Sequence, residues 1–123
     1  MIHLDTSVLV DALVAPGRAL GGLQRAIGLG EQVGVCSIVL FEWLRGPRTG
    51  SELSTQVTLL PETSVVSFGP PEAQLAARLY RSVARPRGRE ADLAIAACAI
   101  LHGAQLWTLN RRDFSDIPAL SLY

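Results

Sequence analysis

The chain has 123 residues, enough for one domain with its own core, and 11 basic residues balance 11 acidic ones to a formal net charge of zero. No global basic field draws it to nucleic acid. Every basic residue is arginine, so a Walker phosphate loop and Schiff-base catalysis, which both need lysine, are excluded. Hydrophobic residues make up 49% of the chain and mean hydropathy is +0.30, which leaves apolar surface for a partner or a second copy. The longest apolar run, residues 93–101, is roughly half a membrane span. The start of the chain shows no pattern of a charged stretch followed by an apolar one, so a cytoplasmic protein without a signal peptide is expected.

In chain order, residues 2–4 read as a short strand and 7–14 as a helix capped by Thr6 or Ser7, broken at Pro16-Gly17. A helix over 19–29 ends at Gly30, and a strand follows at 32–36. Residues 38–45 and 51–60 read as helices, stopped by Gly46-Pro47 and by Pro61. A third strand at 64–67 leads to a helix over 71–84, with Pro71 suited to its first turn. A basic loop over 85–89 precedes a helix over 90–102 that is apolar almost all round and stops at Gly103. Strands at 105–108 and 119–122 close the chain. Strands separated by helices predict an α/β domain spanning 1–123, with a mainly parallel sheet of about five strands and right-handed crossovers. Function in such a sheet gathers beyond the carboxyl ends of the strands. The cysteines, Cys36 and Cys98, fall in predicted buried elements without metal-type spacing and read as small core residues of a reducing compartment.

Four acids stand where acids are costly. Asp5 follows the first strand at a turn into a helix, where a turn or capping role is the ordinary reading. Glu42 lies between Phe41 and Trp43 in an apolar helical pattern, or else on a solvated face of it. Asp92 heads the most apolar helix, although Glu90 already serves the helix dipole there. Asp113 follows the fourth strand in the loop with Thr108 and Asn110, either of which has the chemistry to hold a metal-bound water. Asp116 reads as a solvated acid. If the proposed sheet forms, these acids meet at one edge and raise one another's pKa until a divalent cation relieves them. Oxygen-only donors point to Mg²⁺ or Mn²⁺ over Zn²⁺, and such ions serve phosphodiester hydrolysis.

The stretches Leu4-Asp5-Thr6-Ser7, Phe41-Glu42-Trp43-Leu44-Arg45-Gly46, Asp92-Leu93-Ala94-Ile95-Ala96-Ala97 and Thr108-Leu109-Asn110-Arg111-Arg112-Asp113-Phe114 carry a resemblance. In order and spacing the chain resembles the PIN-domain ribonucleases, specifically the VapC-type toxins of toxin–antitoxin pairs. The resemblance implies a three-layer α/β/α fold and a metal-dependent endoribonuclease. It implies an acid quartet for Mg²⁺ or Mn²⁺ at Asp5, Glu42, Asp92 and Asp113, a homodimer, and an antitoxin whose tail covers the site. Ser7 stands where Asn is commoner, with a hydroxyl able to bond a carboxylate or a water. Asn110 stands where some relatives carry another acid, so the fourth position lies between Asp113 and Asn110. Cleavage to a 5′-phosphate and a 3′-hydroxyl is likewise implied by the family.

Arg78, Arg81, Arg85, Arg87 and Arg89 form the densest basic patch, suited to an RNA backbone, to antitoxin acids or to plain solvation. Arg87, Arg89, Arg111 and Arg112 are the candidate RNA contacts, the last two nearest the acids. His3 and His102, as a metal-free acid–base pair, are disfavoured by their mid-strand and helix-end placement. Trp43 and Trp107 read as core. A receiver-like module would want an acid after the third strand, where Ser67-Phe68-Gly69 stands, and a lysine. A dehalogenase-type phosphatase would want Asp at Ser7. A non-catalytic α/β binding module, such as a degenerate PIN scaffold, remains the alternative.

Overall fold

The computed structural model describes all 123 residues. Strand β1 (Ile2–Leu4) runs into α1 (Thr6–Leu13), and α2 (Leu20–Gly28) leads to β2 (Val33–Cys36), which runs straight into α3 (Ser37–Arg45). Helix α4 (Gly50–Leu59) and a 3₁₀ turn at Glu62–Ser64 precede β3 (Val65–Val66). Then come α5 (Pro70–Ser82), α6 (Glu90–Leu101), β4 (Gln105–Trp107) and a 3₁₀ turn at Arg111–Asp113. The strands pair in the order β3-β2-β1-β4, all parallel, with Ile2 opposite Val33 on one side and Gln105 on the other. No helix is long and apolar enough to cross a membrane.

The sheet has four strands rather than five. Residues 119–122 contribute a single parallel bridge between Leu106 and Leu122, because Ala119 turns the chain with a left-handed φ of 67° just before it. The anticipated cap of α1 also differs. Asp5 is the N-cap residue, its carbonyl accepting the first helical amides, while Thr6 and Ser7 fall in the first turn and are released for other bonds.

Alternation along β1 sends Ile2 and Leu4 into the core on one face and His3 to the other. Helix α6 packs against α5, α3, β2 and β4, and every residue from Leu93 to Ala99 is buried. This explains a helix with no polar face: its small side chains let neighbours approach from all round. Its last turn stops at Gly103, which takes φ 63°. Cys36 and Cys98 are buried free thiols with Sγ atoms 2.9 Å apart, Trp43 is fully buried, and Trp107 packs on Tyr123.

Gly34 is required by close approach, since a Cβ there would stand 2.7 Å from the Ser64 carbonyl oxygen. Backbone on both sides cannot yield cheaply. Gly34→Ala is therefore expected to destabilise the fold by about 1–3 kcal/mol, read from denaturant midpoints at unchanged slope.

Candidate active site

Parallel pairing of β1 with β4 sets the first half of the site. The Asp5 amide donates to the Trp107 carbonyl at 2.9 Å, so the residues after both strands lie side by side. The Asp5 side chain is 5% exposed, and its Oδ2 accepts the Ser7 hydroxyl at 2.8 Å and the buried Thr108 hydroxyl at 2.7 Å. Those hydroxyls are oriented in turn. Ser7 Oγ accepts the Leu109 amide and Thr108 Oγ1 accepts the Asn110 amide, each at 3.0 Å. Both side-chain bonds to Asp5 fall on Oδ2, so Oδ1 keeps its lone pairs for a ligand.

Helix α3 supplies Glu42, whose Oε1 accepts the Thr6 hydroxyl at 2.6 Å while Oε2 lies 3.7 Å from the Arg45 guanidinium. Asp92 stands in the first turn of α6. Its carboxyl is pushed up to about 6, first by burial, then by the negative charges of Asp5, Asp113 and Glu42, with Arg89 pulling it back. Asp92 therefore senses all three other acids of the expected quartet.

One cleft of about 410 Å³ is lined by Asp5, Thr6, Ser7, Val10, Asp11, Glu42, Asp92, Leu109 and Asn110. Asp113 is exposed in the adjoining 3₁₀ turn and lines a neighbouring hollow with Arg85, Arg89, Arg112 and Asp116. Asn110 thus reaches the main cleft and Asp113 stands at its border. As the side chains stand, no three acids are gathered into a metal-ligand set. Unneutralised carboxylates hold apart, and Glu42 leans on Thr6 and Arg45. The donor set nevertheless fits a hard divalent cation: the cleft offers carboxylate, hydroxyl and amide oxygens with no thiol or imidazole, and its most buried pair of acids repel.

Sequence reasoning missed two polar lining residues, Thr6 and Asp11. Thr6 had been placed as a cap, and only the fold reveals its bond to a carboxylate 36 residues away. Asp11 had a readable signal, because it lies one helical turn after Ser7 and so shares its face. Among the candidate RNA contacts, Arg87 and Arg112 are exposed and Arg111 donates to the Tyr123 carbonyl at 2.8 Å. Arg89 is half-buried, in an ion pair with Asp116. The histidines lie away from the cleft. His3 is 1% exposed, and its pKa is lowered to about 4 by burial, by His102 and by the chain's amino terminus.

The family profile of the PIN domain matches residues 2–120. Ribonuclease VapC19 of Mycobacterium tuberculosis, in strains CDC 1551 / Oshkosh and H37Rv, is 36% identical over 124 aligned positions, 95% of this chain and 94% of the relative. Three solved structures share the fold. VapBC2 from Rickettsia felis, bound to a DNA fragment from their promoter, aligns with TM-score 0.77 at 23% identity, over 100% of this chain and 98% of that one. DNA-bound VapBC from Salmonella typhimurium aligns with TM-score 0.80 at 19% identity, over 99% and 96%. A toxin–antitoxin complex from Klebsiella pneumoniae aligns with TM-score 0.76 at 22% identity, over 98% and 95%.

Proposed function

The chain belongs to the PIN-domain family, and from that premise we propose that it is a single-domain cytoplasmic endoribonuclease, dependent on Mg²⁺ or Mn²⁺, acting as the toxin of a toxin–antitoxin pair. The observation that carries the chemistry is Asp92, a half-buried acid held near pKa 6 by burial and by Asp5, Asp113 and Glu42 around one cleft. An acid so perturbed at the edge of a cleft serves catalysis more than stability. The activity accords with the ribonuclease relative that the chain matches along nearly its whole length. A cognate antitoxin and a homodimer are the partners this reading assigns.

Asp5 and Asp92 would be the direct metal ligands, with Glu42 and either Asp113 or Asn110 completing the site. A divalent cation there supplies an acidified water and neutralises charge on the scissile phosphate. The chain's own residues do the positioning. Ser7 and Thr108 fix the Asp5 carboxylate through Oδ2 and leave Oδ1 without a side-chain hydrogen bond. Thr6 holds Glu42 by Oε1, and Asp92 stands half-buried in the first turn of α6. Arg112, exposed in the hollow it shares with Asp113, and the exposed Arg87 would meet the RNA backbone.

The test is cleavage of bulk bacterial RNA with 5′-end mapping, in Mn²⁺ and in excess EDTA. Wild type is expected to leave 5′-phosphate ends only when metal is present, and Asp5→Asn is expected to leave none. Cleavage that survives chelation, or that Asp5→Asn retains at the wild-type rate, overturns the proposal.

A further inference from the structure

Arg89 is the last residue before α6, one turn ahead of Asp92, and its carbonyl accepts the Leu93 amide at 2.9 Å in the opening turn of that helix. Its side chain crosses to the loop after β4. Nη1 and Nη2 meet both oxygens of Asp116 at 2.9 and 2.6 Å, and Nη2 also donates to the Asp113 carbonyl at 2.8 Å. A longer bond of 3.5 Å runs from Nη1 to the Arg85 carbonyl. Of the five N–H donors of a guanidinium, only the one on Nε makes no hydrogen bond here. The side chain is 19% exposed, and its hydrogen bonds to Asp116, helped by that residue's charge, hold its pKa above the usual arginine value.

We infer that Arg89 and Asp116 form a clamp that sets the distance and orientation of Asp113 relative to Asp92. One planar fork grips a carboxylate three residues beyond Asp113 and the carbonyl of Asp113 itself. The 3₁₀ turn at Arg111–Asp113 is thereby pinned to the head of the helix that carries Asp92. Lysine, a point charge, cannot reproduce that two-edged grip. Both terminal nitrogens of the fork are taken by its own chain, which distinguishes Arg89 from the exposed Arg87 and Arg112 and makes it a positioning residue rather than a phosphate contact. The pair is too exposed for its attraction to matter much to global stability. Its effect is local, because small misplacement of a reacting group is costly in rate.

The activity arm of the test rests on the nuclease reading; a second arm does not. Arg89→Lys, Asp116→Asn and the double variant are compared with wild type by cleavage of an RNA oligonucleotide spanning the main site mapped in bulk RNA. Amide hydrogen exchange of residues 110–116 and thermal melting are measured on the same proteins. The clamp predicts that each single variant loses about 10- to 100-fold in kcat, with KM held within about twofold. The double variant should be no worse than either single, since the residues act as one unit. Exchange across 110–116 should quicken in both single variants, at a melting temperature close to that of wild type. A raised KM in Arg89→Lys with Asp116→Asn harmless would mark a phosphate contact and overturn the clamp, as would additive losses or unchanged kcat. If wild type cleaves no RNA, the nuclease reading fails alone and exchange decides the clamp: unaltered protection in both variants ends it.

Discussion

Asp92→Asn is expected to lose RNA cleavage by about 10²–10³-fold while folding more stably than wild type in metal-free buffer at pH 7.5. Both effects share one origin. The Asp92 carboxyl sits near 6 in the folded protein against an ordinary 3.8, because burial and three neighbouring acids disfavour its charge. The folded state therefore binds this proton more tightly than the unfolded state does. Stability from this group is present below about pH 4 and is lost as pH rises from about 4 to 6. Above pH 6 the metal-free wild type bears the whole penalty and asparagine bears none. Melting curves between pH 4 and 8 should show the wild type falling relative to Asp92→Asn across that window. Adding Mn²⁺ at pH 7.5 should raise the wild-type melting temperature and leave the variant's unmoved. A variant less stable than wild type at pH 7.5 without metal would mean that Asp92 holds the fold together instead of straining it.

Thr108→Val carries the second large effect. It keeps the volume and removes the hydroxyl that donates at 2.7 Å to a buried carboxylate and accepts the Asn110 amide. A hydrogen bond to a charged group is worth about 1.5–3 kcal/mol, so kcat should fall about 10- to 100-fold, with loss of stability as well. Ser7→Ala should do less, because its bond to Oδ2 is backed by Thr108. Steady-state kinetics on the mapped oligonucleotide checks the ranking. Equal rates in wild type and Thr108→Val would show that Asp5 needs no such orientation.

Three of the four acidic stretches were legible because each pairs a costly carboxylate with a recognisable local pattern: a strand end at Asp5, apolar flanks at Glu42, and the head of a buried helix at Asp92. The parallel character of the sheet also followed from the alternation of strands with helices. What stayed hidden was side-chain pairing across distance. Nothing local at Thr6 points to Glu42, and nothing at Asp116 points to Arg89, because hydrophobic periodicity reports which face is buried and not which polar partner stands opposite. Residues 119–122 read as a strand from composition alone, and the left-handed Ala119 that limits them to one bridge has no sequence signal, since alanine does not favour that conformation. Asp11 is a different kind of omission: it stands one helical turn after Ser7, so its place on the cleft face was readable from spacing and was missed.

In the proposed cation site, the acid that follows β1 acts together with those on α3, α6 and the loop after β4. Calorimetric titration of Mn²⁺ into metal-free wild type and Asp92→Asn near pH 6 tests it most directly. Saturable binding to wild type is expected, with release of about half a proton per site, because Asp92 is about half protonated at that pH and the cation displaces what it holds, and no comparable binding to the variant. Absence of Mn²⁺ uptake by the wild type, or equal uptake by both proteins, would contradict it.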